Sequence, residues 1–321
     1  MTHPANTRRL VDPALLPLLD AWPKVELNET QLPMLRSMER LPMPDLSPEA
    51  KAVRLEVRSA PGPAEAPDMR LLIYRPANQT EPIGCIFHVH GGGYVIGAVD
   101  AQEAQHRDMV ARLGCVLVTV DYRLAPETPF PGAIEDCYAG LTWTFANAAD
   151  LGVDSARIGV MGESAGGGLA AALGLMARDR GDHALAFQHL IYPMIDDRTC
   201  VHPDPHPHAG EFIWTPHNNR FGWNALLGRA PGGEGVSPYA AAARAEDLSG
   251  LPPTFIATGA LDLFLEEDMD YARRLLRAGV PTELHVYPGG FHGFDFEPAA
   301  PVAVQARRDS LDALSRFLKT A

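Results

Sequence analysis

The chain has 321 residues, 46% hydrophobic and 21% charged, the proportions of an ordinary globular protein long enough to bury a substantial core. Its formal net charge of -13 would repel nucleic acid and anionic membrane, and suits a neutral or cationic small molecule. No uninterrupted apolar stretch approaches the ~20 residues needed to span a bilayer, so stable membrane association is not expected.

The N-terminus is polar, and Pro13 and Pro17 interrupt the leucines that follow; with no signal peptide recognisable, the expected location is cytoplasmic. Up to about residue 50 the apolar positions Leu15, Leu16, Leu18 and Leu19 suggest one or two short helices. From Val53 the pattern changes: Val53, Leu55 and Val57 alternate with charged residues, and Leu71 to Tyr74 follows a Pro-Gly-Pro turn, which reads as an antiparallel edge pair. Continuous apolar runs come next, at 83–89, 116–120, 158–161, 187–192, 254–258 and 282–287. Most lead through turn residues into amphipathic stretches such as 102–113, 133–147 and 267–278, and a last helix spans about 302–319. This alternation predicts an α/β fold with about eight strands in a mostly parallel sheet, covered by helices on both faces.

The polar, histidine- and proline-rich stretch 196–231 breaks the alternation. It reads as an insertion that packs with residues 1–50 to form a cap, leaving 51–195 and 232–321 as the core. Within it, His202-Pro-Asp-Pro-His-Pro-His208 offers three imidazoles and a carboxylate, but its prolines favour an extended chain that resists closing around one ion, so no metal is expected. Cys85, Cys115, Cys137 and Cys200 form no CxxC pair and read as small buried hydrophobes in a reducing compartment.

The chain is organised around Gly162-Glu163-Ser164-Ala165-Gly166. A short strand run ends there, and an amphipathic stretch with Leu169, Leu173 and Met176 at helical spacing begins. In a GxSxG turn the serine takes a strained backbone conformation, and Gly162 and Gly166 lack side chains that would collide. Chemistry in an open parallel sheet gathers at the carboxyl ends of the strands. Asp262 follows the 254–258 run and His292 follows the 282–287 run, so the chain supplies serine, acid and base in that order. Glu266, Glu267 and Asp268 are rival acids, but they open a helix, where carboxylates are expected as solvated partners of its dipole. His285 is a rival base, placed inside a strand run. The 83–89 run ends in His90-Gly91-Gly92-Gly93-Tyr94, whose backbone can approach a ligand closely. N–H groups of Gly92 and Gly93, with that of Ala165, are the expected oxyanion donors, and His90 is expected to brace the loop.

With His90-Gly-Gly-Gly, Asp121-Tyr-Arg-Leu-Ala-Pro-Glu127, Gly162-Glu-Ser-Ala-Gly-Gly167, Asp262 and His292-Gly-Phe294 in this order, the chain resembles the hormone-sensitive lipase family of esterases, the bacterial family IV carboxylesterases. The resemblance implies an α/β-hydrolase core, an N-terminal cap and hydrolysis of short-chain acyl esters without metal or organic cofactor; a homodimer is an expectation from the family alone. Two positions depart from the pattern: Glu163 stands where aspartate or threonine is common, and Asp262 is followed by Leu-Phe. Tyr94, Phe212 and Trp214 are candidates for the substrate pocket. An amidase, deacetylase or thioesterase would use the same groups, and a non-catalytic receptor could retain the same pocket.

Overall fold

The computed structural model describes residues 6–37 and 44–319, so the parts of the expected N-terminal and C-terminal segments at 1–5, 38–43 and 320–321 lie outside the described residues. Every expected strand is present: β1 (Arg54–Ala60), β2 (Met69–Arg75), β3 (Ile83–Val89), β4 (Val116–Val120), β5 (Val153–Glu163), β6 (Gln188–Ile191), β7 (Thr254–Gly259) and β8 (Thr282–Tyr287). They form one sheet in the order β1-β2-β4-β3-β5-β6-β7-β8. β1 and β2 are antiparallel, as are β2 and β4; all other pairs are parallel. β4 and β7 are buried along their whole lengths, as strands covered on both faces must be.

The helices are α1 (Leu16–Ala21), α2 (Leu32–Ser37), α3 (Pro48–Ala52), α4 (Glu103–Leu113), α5 (Gly132–Ala146), α6 (Ala148–Leu151), α7 (Ala165–Arg180), α8 (Pro216–Leu227), α9 (Leu265–Arg277) and α10 (Pro301–Phe317). On one face Phe87, Val118 and Val160 pack under α5, α7 and α9; on the other Ile86, Leu117 and Met161 meet Val110 of α4 and Leu314 of α10. The expectation of an amphipathic α7 is corrected here. Every residue from Ala165 to Ala177 is buried, because α7 is pressed between β5 and β6 on one side and α5 and the turn at Ala242–Arg244 on another. Its alanines and glycines allow that close approach. All four cysteines are buried and unpaired with one another. Among the described residues, no helix is long and apolar enough to cross a membrane.

Register sets the site. Val89 of β3 lies beside Gly162 of β5, so the glycine-rich loop and the Ser164 turn leave the sheet as neighbours. Gly259 of β7 lies beside Tyr287 of β8, bringing the segments that carry Asp262 and His292 out together. Residues before α2 bond to α8: Asn218 accepts from Leu27 N at 2.8 Å and donates to Val25 O at 2.9 Å, and Leu27 shares an apolar cluster with Trp214 and Trp223.

Asp136, 2% exposed in α5, holds the segment after β4 by accepting from the Arg123 backbone N–H and twice from its guanidinium at 2.7–3.0 Å. Asp136→Ala leaves a half-buried guanidinium and a backbone N–H without their acceptor, and should destabilise the fold by about 2–4 kcal/mol. A urea midpoint unchanged from wild type would contradict this role.

Candidate active site

Ser164 sits between β5 and α7 at φ 55° and ψ -123°, a conformation that L residues rarely adopt. Three buried hydrogen bonds hold it: its N–H donates to Ile191 O, and its carbonyl accepts from Gly168 N and Met194 N, all at 2.9 Å. A Cβ on Gly162 would lie 2.3 Å from Gly166 O, and one on Gly166 would lie 2.0 Å from Val89 O, so both positions exclude a side chain, as expected. The hydroxyl emerges where His292 waits.

His292 Nε2 is 2.9 Å from Ser164 Oγ, and its Nδ1 is 2.9 Å from Asp262 Oδ2. Asp262 is fully buried, and its other oxygen accepts from Phe264 N at 3.0 Å. The carboxylate thus makes Nδ1 the protonated nitrogen and leaves Nε2 to accept from the serine hydroxyl. His285 lies apart, 2.8 Å from Glu283 on β8.

The loop after β3 turns at Gly92 and Gly93, with φ of 124° and 59°. Among the described residues, none of the loop and turn backbone bonds uses the N–H groups of Gly92, Gly93 or Ala165, the last being the first residue of α7 and an orphan donor by position. His90 stacks on Tyr122 at 4.3 Å and bonds through Nδ1 to Gly91 O at 2.8 Å. Burial lowers its pKa to about 4, so it is a neutral brace at pH 7. Trp214 covers Gly93 so closely that a Cβ there would lie 2.1 Å from the indole, and its ring is 6.2 Å from that of His292. Phe212 packs on Phe291, next to His292 in sequence, at 6.0 Å. Tyr94 is in a different place from the other two aromatics: it is 1% exposed, packs on Trp223 and donates its hydroxyl to Met194 O, so it supports the loop from within the core.

A family model described as α/β-hydrolase fold matches residues 86–296. Carboxylesterase NlhH of Mycobacterium tuberculosis is 35% identical over 99% of both chains, and Esterase LipI of the same species is 32% identical over 98% of this chain and 97% of its own. Among solved structures, a bacterial heroin esterase superposes with a TM-score of 0.89 at 38% identity, covering 98% of this chain and 100% of that one. The chain belongs to the α/β-hydrolase fold family. Within it the motifs and relatives place it on the hormone-sensitive lipase-like branch.

Several polar groups of this hydrolase were not legible as part of the site. His88 of β3 bonds through Nδ1 to Thr119 of β4 at 3.0 Å and through Nε2 to Glu163 of β5 at 2.9 Å, tying three adjacent strands below the serine. Burial pushes Glu163 up, but the charge and hydrogen bond of His88 outweigh it, so its carboxyl is held below its ordinary value. Tyr192, at φ 35°, meets the His292 ring edge-on at 4.7 Å.

The expectation that Glu266, Glu267 and Asp268 are solvated holds only for Glu266. Glu267 is 7% exposed and accepts from Ile195 N, Asp196 N and Thr199, while Asp268 is fully buried. The first turn of α9 faces inward because the chain after Tyr192 folds over it. Burial first, and then the charges of Glu267 and Asp262, hold the Asp268 carboxyl well above its ordinary 3.8.

For a carboxyl whose pKa is raised by folding, the stabilising form is protonated: its contribution is complete below the unfolded value and is lost as pH rises toward the folded one. Asp268→Asn should therefore raise Tm at pH 8 by about 2–6 °C and by less at pH 4. An equal shift at both pH values, or none, would rule out a buried titrating Asp268.

Proposed function

We propose that the chain is a serine carboxylesterase acting on short-chain acyl esters; the names carboxylesterase and esterase carried by its relatives support the ester-hydrolase part of this reading. The observation that carries the reading is the unbroken chain from Ser164 Oγ through His292 to buried Asp262, beside N–H groups that have no loop or turn backbone acceptor among the described residues. His292 takes the Ser164 proton as the hydroxyl attacks the ester carbonyl. Asp262 holds the imidazole in the right tautomer and stabilises its charged form. The developing oxyanion is held by N–H groups of Gly92, Gly93 and Ala165, the last aided by the N-terminal end of α7. The imidazolium then protonates the leaving alcohol, and water activated by His292 hydrolyses the acyl-enzyme. No step requires a metal or organic cofactor.

The segments 1–50 and 196–231 serve as the cap in this reading, and the hydrogen bonds of Val25 and Leu27 with Asn218 support treating them as one unit. Trp214, which reaches from the cap to Gly93 and His292, would border the bound ester, with Phe212 behind it. Glu163 and His90 act through the backbone of the turn and loop. The partner in this reading is a small neutral ester.

Ser164→Ala should lower kcat for p-nitrophenyl acetate by about 10³-fold or more without lowering Tm. More than a tenth of wild-type activity in that variant would remove Ser164 from the mechanism. Gly92→Ala, whose Cβ would lie 2.0 Å from Ile96 O, should displace the loop and reduce kcat by about 100-fold in folded protein, with KM changing little. Parallel assays with p-nitrophenyl esters and a p-nitroanilide decide between esterase and amidase.

A further inference from the structure

Tyr192 links His292 to a part of the molecule that the hydrolytic reading does not use. Its hydroxyl donates to Asp295 at 2.8 Å, and both residues line a cavity of about 320 Å³ between α4, α10 and the ends of β5 to β8. Neither Ser164 nor any residue of the 196–231 segment lines it, so it lies apart from the surroundings of Ser164. Its volume lies at the lower end of the roughly 300–1,000 Å³ of small-molecule sites.

The walls are largely apolar, with Met109, Met161, Phe294 and Leu311 prominent, and four charged residues reach them. Asp108 pairs with Arg112 at 2.8 Å. The Arg307 guanidinium donates to the carbonyls of Asp295, Glu297 and Pro298 and, still charged, offsets part of the negative charge near Asp295. Glu163 and Asp295 remain, held by an imidazole and a phenol. Burial, and then the nearby Glu163 charge, hold Asp295 above its ordinary value despite the Tyr192 hydrogen bond. A positive charge placed between the two carboxylates would relieve that repulsion, and an anion would increase it. Calcium and magnesium take six or more oxygen ligands, and no cluster of three or more metal-binding side chains lies among the described residues. An alkylated ammonium is weakly hydrated, can bury its apolar substituents here and can lie against Phe294 and Tyr192.

We propose that this cavity is a second binding site, for a small organic ammonium ion with an apolar body, held between Glu163 and Asp295 and touching the tyrosine that packs on His292. The ammonium group could belong to an ester substrate or to a separate amine.

The probe is phenyltrimethylammonium, titrated by NMR into folded Ser164→Ala protein so that binding is read without turnover, with neutral tert-butylbenzene as its isostere. Saturable binding of the cation, at least tenfold tighter than the isostere, is expected. Asp295→Asn keeps the acceptor for Tyr192 and Glu163→Gln keeps the one for His88, and each should weaken the cation at least threefold at unchanged Tm. Should either variant melt early, Met109→Trp, which fills the cavity, should abolish binding instead. No saturable binding, equal binding of the isostere, or affinity unmoved by these substitutions would overturn the proposal. With wild-type protein and p-nitrophenyl acetate, competitive inhibition by the probe assigns the site to the ammonium of an ester, whereas a mixed pattern or no inhibition assigns it to a separate amine.

Discussion

The backbone of Ser164 is the constraint from which the rest of the site follows. A non-glycine residue at φ 55° costs on the order of 1–3 kcal/mol, and it persists only where its surroundings leave no alternative. Here those surroundings are strand β6, which accepts its N–H through Ile191, and the first turn of α7 with the segment after Tyr192, which donate to its carbonyl. Glycines on both sides keep β5, α7 and the loop after β3 within backbone contact. Relaxing the turn would break these buried hydrogen bonds together, so the strain is stable.

Once the hydroxyl is fixed, the sheet does the remaining alignment. Parallel pairing of β3 with β5 puts the glycine-rich loop beside it, and pairing of β7 with β8 delivers Asp262 and His292 from neighbouring strand ends. The Thr119–His88–Glu163 chain crosses the same strands just below, so its hydrogen bonds resist sliding between the glycine-rich loop and the Ser164 turn. Precision in the site is thus a property of rigid neighbours, and Trp214 and Tyr192 add packing around the imidazole.

The acids around the site have separate tasks set by their partners. Asp262 has an imidazole and a backbone N–H, Glu267 has two backbone N–H groups and a hydroxyl, and Asp268 has neither a cation nor a well-formed hydrogen bond among the described residues. Burial holds both Glu267 and Asp268 well above the ordinary carboxyl range, in spite of the hydrogen bonds that Glu267 accepts. Glu163 and Asp295 line the cavity on the other side of Tyr192, in a molecule of net charge -13.

Much of this was present in the order of residues. Strands buried on both faces have to be continuous apolar runs and an edge strand alternates, so the strands were visible from one pattern or the other, and a GxSxG turn needs glycines for steric reasons that hold in any context. The order of Ser164, Asp262 and His292 after successive strand runs was legible because a parallel sheet places its loops at one edge. What lay beyond reach was the environment of polar groups within secondary structure. His88 looks like an interruption in an apolar strand until β4 and β5 bring Thr119 and Glu163 to it. Glu267 and Asp268 obey the charge preference of a helix N-terminus, and only the segment packed over α9 makes them buried. Periodicity could not show that α7 is enclosed on all sides, or that Tyr94 faces the core while Trp214 faces the serine cleft. Local geometry and strand composition are properties of the chain itself, whereas burial and charge partners depend on segments distant in sequence, so the tertiary structure alone decided them.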